Sequence, residues 1–276
     1  MSLFEQFIRA FQYGFMWRAL IVGVSVAISS ATIGSFLVLK KYAMIGHGLS
    51  HVAFAAVAIG LVFNQAPLFF SLPLVVFSSI FVLRLNKTAK LHGDAAIGLM
   101  AAFAMALGTT LVSTGGGFNV DLYSYLFGSI LTIRQIDVYF AIGFSGVVIA
   151  FVLLYYNQLF SMTFDESFAR ITDIEVNRLN TMLAILTGVT IVIGIRAIGT
   201  LLISALIIFP AVIALQFNRG FKGTIGLSIA ISLFTVVAGL LLSFFLDFPS
   251  GSTIVLLNSL VFFVVYLTRN LFKVQY

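Results

Sequence analysis

Apolar runs of bilayer length, separated by short polar breaks, occupy almost the whole chain. A helix needs about 20 apolar residues to cross the hydrocarbon core. By that criterion spans are predicted over roughly 15–39, 43–63, 66–84, 92–113, 135–157, 178–195, 198–216, 224–246 and 251–268. That makes nine, or eight if 178–216, interrupted only by Arg196, is counted differently. The first run follows an amphipathic start, MSLFEQFIRAFQYGF, is too long for a signal-peptide core and lacks a small-residue cleavage site. It is expected to be a retained span.

Two stretches do not fit the spanning pattern. STGGGFNVDLYSYLFGSILT, residues 114–133, has glycines followed by an apolar piece too brief to cross. It predicts a short re-entrant or interfacial helix, tolerated at membrane depth only where protein covers its ends. QLFSMTFDESFARITDIEVNR, residues 158–178, is the most polar stretch and holds Asp165, Glu166, Asp173 and Glu175. Within it, 165–172 reads as a short amphipathic helix. Its two leading carboxylates suit the positive end of the dipole, and Phe168 and Ile171 share a face. A solvated loop and a docking helix for a soluble partner are both open on these residues alone.

Composition fixes the solvent. The chain of 276 residues is 61% hydrophobic and 9% charged, against about 25% charged for soluble domains. No polar block is long enough to fold separately, so the fold class is all-α, one integral membrane domain over 1–276 embedded in the lipid bilayer. The net charge of +6 carries no run resembling a nucleic-acid arm. It instead marks loops: Lys40 and Lys41, then Arg84, Lys87 and Lys90, then Arg170 and Arg178, then Arg219 and Lys222, then Arg269 and Lys273. With nine spans these fall on one side, the cytoplasmic side by the positive-inside rule.

There is no cysteine and there are three histidines, so any metal must be held by imidazole, carboxylate, carbonyl or water. Two of the histidines, His47 and His51 in MIGHGLSH, are four apart and share a helix face. Both rings can close on one ion of the kind imidazole suits, zinc among them; alternatively, each hydrogen-bonds a neighbouring helix. Two ligands make an incomplete site, as suits a transient stop on a path. Enzymatic readings fail on chemistry. Gly48 follows His47 where a zinc protease needs its glutamate base, and no phosphate-binding G-x-x-x-x-G-K-[ST] occurs. Multi-histidine iron boxes are excluded too, since only His92 remains. Asp94 and Asp121 are candidate pathway carboxylates, with helix capping the simpler role for each. Asp247 in DFPSG reads as a turn residue, and Pro210 as either a functional bend or a tolerated kink.

LVLKKYAMIGHGLSHVAFAAVAIGL resembles the signature of the zinc/manganese ABC importer permeases, the ZnuB-like family. VDLYSYLFGSIL, IGTLLISALIIFPAVIA and DFPSGSTIVLL resemble further blocks of that family in the same order. The resemblance covers nearly the whole chain. It implies a permease with eight or nine transmembrane helices in the bacterial cytoplasmic membrane, working as a pair with a second copy of itself. It also implies a cytoplasmic ATP-binding subunit, an extracytoplasmic metal-binding protein and no permanently bound cofactor, the cargo being Zn2+ or Mn2+. SMTFDESFARITDI is similar to the family's coupling segment, which implies that Phe164, Asp165, Glu166, Ala169, Arg170 and Ile171 dock on the ATPase. Two departures stand out. His47 occupies the family's aspartate position, which softens the site toward zinc, and Asp173 stands where the family often has glycine. Ser129 stands where related chains often carry an acid or amide, so no ligand role transfers there. The implied mechanism is alternating access through a weak site. A manganese-selective importer, an ATPase-independent secondary metal transporter and an export permease for another substrate are the alternatives.

Overall fold

The computed structural model describes residues 12–88, 93–114, 128 and 133–273. The outermost residues of the amphipathic start, His92, Asp121, Ser129 and nearly all of the expected re-entrant piece lie outside them. The described residues form helices and no strand. In chain order these are α1 (Gly14–Leu39), α2 (Ile45–Val62), α3 (Pro67–Thr88), α4 (Gly93–Thr114), α5 (Gln135–Leu154), α6 (Tyr156–Phe164), α7 (Glu166–Ile171), α8 (Val176–Ile198), α9 (Thr200–Leu215), α10 (Phe221–Leu246) and α11 (Ser250–Lys273).

Each apolar run predicted from the sequence is a helix, and 7 of these helices are long and apolar enough to cross a membrane among the described residues. The other two runs are α3, a helix of 22 residues, and α9, a helix of 16. The shortening of α9 has a backbone cause. Gly199 separates α8 from α9 with φ 90 and ψ 163, a region essentially closed to residues with a Cβ. The chain therefore breaks at Gly199 rather than at Arg196. The 16 residues of α9 reach about 24 Å at 1.5 Å per residue, short of a hydrocarbon core of about 30 Å. Pro210 lies inside α9, which remains helical through it.

The chain folds into two compact units, each assembled from separate stretches. One comprises Met1–Ser35, Tyr123–Ala150 and Ile193–Tyr276. Its helices are tied by hydroxyls as well as apolar packing: Ser228 and Ser232 on α10 donate to the carbonyls of Ala31 and Ala27 on α1, at 3.4 and 3.2 Å. With apolar side chains facing lipid as favourably as they face protein, such contacts and small residues carry much of the helix–helix specificity.

The second unit comprises Phe36–Leu122 and Phe151–Val192. At its centre is α2, whose buried positions are mostly Gly, Ala and Ser, with Ile45, Leu49 and Val52. Small residues let α3 and α4 approach closely. Gly48 packs against Ile97 on α4: a Cβ there would stand 2.5 Å from Ile97 Cγ2. One end of that contact pairs 48 with 97, and the other pairs Gly108 with Phe54 and Ala55, so α2 and α4 run parallel.

Candidate functional site

The route into the histidine helix is tightly specified. α1 ends in a turn in which the Tyr42 N–H donates to the Leu37 carbonyl at 2.8 Å and the Lys41 N–H to Val38 at 3.1 Å. That pairing is the helix-ending motif that favours glycine in the left-handed position; here Lys41 holds it, with φ 61. The Ile45 N–H then donates to Tyr42 at 3.1 Å, and α2 begins behind Met44, which gives no side-chain cap.

His47 stands in the first turn of α2 and His51 one turn further on. Their Nε2 atoms are 3.3 Å apart, with ring centroids 4.7 Å apart and the planes at 86°. Two nitrogens bound to one tetrahedral zinc at about 2.0–2.1 Å stand about 3.3–3.4 Å apart. The pair therefore spans one edge of such a tetrahedron. The same distance also fits a hydrogen bond from one ring to the other. At 1.5 Å rise per residue, His51 lies roughly 9 Å along α2 from Ile45, the end nearest Lys40 and Lys41.

Among the described residues no group of three or more His, Cys, Asp or Glu converges on a metal position. Asp94 is the second residue of α4. It lies three residues before Ile97, which touches Gly48, so the parallel packing brings the start of α4 beside the turn carrying His47. Asp121, the other candidate carboxylate, lies outside the described residues.

The polar stretch forms two short helices. Asp165 divides them in extended conformation, φ −145 and ψ 99, and its side chain accepts the Phe168 N–H at 2.9 Å. The expected short helix is therefore Glu166–Ile171, with Asp165 capping it from outside rather than opening it. Arg170 Nη2 donates to Glu166 Oε1 at 2.8 Å and to Asn177 Oδ1 on α8 at 3.2 Å. The helix ends as a glycine-terminated one would: the Ile174 N–H donates to Ala169 at 3.0 Å and Asp173 takes φ 57. Aspartate tolerates that conformation better than most residues, so the departure from glycine leaves the turn shape intact.

Burial sorts the segment into two faces. Leu159, Met162 and Ala169 are buried, while Phe164, Phe168 and Ile171 are 62%, 57% and 81% exposed. An apolar face held outward by a capped, ion-paired backbone has the form of a docking surface.

Two participants escaped the sequence reading. Lys40 Nζ donates to Asn180 Oδ1 at 2.5 Å, joining the end of α1 to the first turns of α8. Asn177, which receives Arg170, is three residues before Asn180. The only signal was a pair of asparagines at the start of an apolar run. Asp247 is the turn residue expected, capping α10 in the left-handed region with φ 54.

Comparison with known proteins gives the frame for these features. The chain is 30% identical to the high-affinity zinc uptake system membrane protein ZnuB of Haemophilus influenzae, over 92% of this chain and 98% of that protein. It is 28% identical to the manganese transport system membrane protein MntC of Listeria innocua, over 93% of this chain and 91% of that one. Among solved structures it resembles a chain of PsaBC from Streptococcus pneumoniae in complex with Fab, with a TM-score of 0.83 and 25% identity over 96% of this chain and 95% of that chain. The family model of the ABC 3 transport family matches residues 12–269. A polytopic helical chain matched from end to end in this way belongs to the ABC 3 transport family, as a membrane permease of a metal importer rather than an enzyme.

Proposed function

We propose that this permease passes zinc inward by alternating access, with His47 and His51 as a transient two-nitrogen stop and α6–α7 as the docking segment for an ATP-binding subunit. The observation that carries the zinc reading is the Nε2 separation of 3.3 Å, which matches the edge of a tetrahedral imidazole site. Two imidazoles also form a softer donor set than a carboxylate and an imidazole, and so favour zinc over manganese. Remaining coordination positions fall to water or carbonyls, with Asp94 and Asp121 kept as candidate pathway carboxylates. An incomplete site suits transit, because a bound ion must also be able to leave.

In this reading Phe164, Phe168 and Ile171 enter a groove of the ATP-binding subunit, while Asp165, Glu166 and Arg170 hold the short helix in shape and buried Ala169 anchors it. An extracytoplasmic metal-binding protein delivers the ion, and a second copy of the chain completes the pathway. A manganese-selective permease is the second reading, supported by the manganese transport named for the Listeria relative.

The test is uptake in cells lacking the gene, restored by wild type, His47→Asp or His51→Ala at equal expression, with zinc and manganese offered separately. Zinc restored by wild type, lost in His51→Ala and displaced toward manganese in His47→Asp is the expected pattern. Equal restoration of one metal by all three variants removes the histidines from the path. Restoration of manganese alone by wild type establishes the second reading.

A further inference from the structure

We propose that Lys40 and Asn180 form the link through which the docking segment sets the position of the helix carrying His47 and His51. The inference rests on the docking reading above and adds to it the route by which docking reaches the metal pair. Every residue in that route belongs to one compact unit.

The route combines side-chain hydrogen bonds with one turn of α8. Glu166 and Asn177 both receive Arg170 Nη2, at 2.8 and 3.2 Å, so α7 is fastened to the first turn of α8. Asn180 is three residues beyond Asn177 on α8, and residues at that spacing are neighbours on a helix surface. Its Oδ1 receives Lys40 Nζ at 2.5 Å, and Asn180 is 8% exposed, so water competes poorly for the bond. Lys40 is followed directly by the left-handed turn at Lys41. Backbone bonds then run Tyr42 to Leu37, Ile45 to Tyr42 and Gly48 to Met44, from the end of α1 into the turn bearing His47. A displacement of the first turns of α8 thus has a short, hydrogen-bonded path to the histidines, with no flexible loop to absorb it.

Chemistry favours this pair as the transmitting step rather than an incidental tie. The bond couples a full charge to a neutral amide over 140 residues of sequence separation. Breaking it from one side leaves the other partner with a lost charged hydrogen bond. Lys40 also sits where α1's carbonyl end favours a cation. Lys40 and Asn180 are therefore positioning residues that act through α2.

The test uses the full chain with its ATP-binding subunit in proteoliposomes. The chain has no cysteine, so Met44→Cys supplies a single thiol at the start of α2, at a residue 43% exposed. Association with the ATP-binding subunit is measured first. Thiol labelling by a maleimide is then timed with and without a non-hydrolysable ATP analogue, and metal moved per ATP is recorded. With Lys40 and Asn180 intact, the nucleotide changes the labelling rate. In Asn180→Leu and in Lys40→Met the change disappears and metal moved per ATP falls on the order of tenfold, with association unaltered. Asn180→Asp keeps an acceptor and keeps both responses. If Asn180→Leu fails to fold, Lys40→Met decides.

Variants that associate normally and retain the nucleotide response and the transport ratio overturn the link while leaving the docking reading standing. An intact chain that fails to associate with the ATP-binding subunit overturns the docking reading, and the link with it.

Discussion

The start of α2 and the α6–α7 segment lie in the same compact unit and are built on opposite plans. At α2 the helix is buried on most sides by small residues, opens without a side-chain cap, and presents two imidazoles 3.3 Å apart. At α6–α7 the backbone is capped by Asp165 and fastened by the Glu166–Arg170 pair, and the exposed face is apolar. The first region has polar groups with coordination to spare. The second has its polar groups satisfied and its apolar groups to spare. A site meant to hold an ion briefly needs the former; a surface meant to bind a protein reproducibly needs the latter, because preorganisation lowers the ordering cost of association.

The sharpest way to break that contrast is at His51. Outer-shell partners of metal ligands already cost 10–100-fold when removed, so His51→Ala is expected to lower zinc uptake by on the order of 100-fold or more. The double variant with His47→Ala should be little worse, since one ring alone no longer chelates. Radioactive zinc uptake at matched expression checks this; additive losses would mean the rings act separately. Metal and protons compete for the same nitrogens, so wild-type uptake should also fall on mild acidification, and His51→Ala should blunt that dependence.

The next largest effect belongs to the proposed docking face. Exposed apolar residues that anchor an interface cost roughly 2 kcal/mol or more on truncation, about 30-fold in affinity. Phe168→Ser with Ile171→Ser should weaken association with the ATP-binding subunit by that order, while thermal stability of the isolated permease stays unchanged. Loss of stability instead would show that these side chains pack within the permease, and the contrast between the two regions would collapse.

A smaller change tests how strictly α2 is held. A Cβ at Gly48 would stand 2.5 Å from Ile97 Cγ2, and a β-branched side chain on a helix has little freedom to move aside. Gly48→Ala should destabilise the fold by about 1–3 kcal/mol, the usual range for overpacking, and lower zinc affinity by shifting the histidine turn. Ile97→Ala in the same chain should recover part of both losses, as expected for neighbours that couple. Calorimetry and metal binding on the purified permease measure the two effects separately.

How far all this was legible in sequence follows from the range of the interactions. The short helix around Glu166 to Ile171 was readable because every contact that defines it lies within four residues. The histidine pair was readable for the same reason. The point where α8 ends was not, because hydropathy does not register the left-handed Gly199 that cuts it from α9. The Lys40–Asn180 bond was beyond reach: its partners are 140 residues apart, and Lys40 looked like an ordinary cytoplasmic flanking charge.

The finest comparison uses the two helix ends that glycine would normally close. Lys41 after α1 and Asp173 after α7 adopt nearly the same backbone, φ 61 and φ 57. For a residue with a long side chain the left-handed conformation costs roughly 1–2 kcal/mol, whereas aspartate visits it more readily. Replacing either by glycine removes that strain but adds back roughly 0.5–1 kcal/mol of unfolded-chain entropy. Lys41→Gly should therefore raise stability by a few tenths of a kcal/mol to about 1 kcal/mol, and Asp173→Gly should be near neutral. Thermal unfolding in one detergent, with both variants run beside wild type, resolves the difference. If Asp173→Gly gains as much as Lys41→Gly, the aspartate is strained too, and the docking segment is less relaxed than its satisfied polar groups imply. If Lys41→Gly gains stability while zinc uptake falls, the strain at Lys41 contributes to function by holding Lys40 against Asn180 and α2 in register.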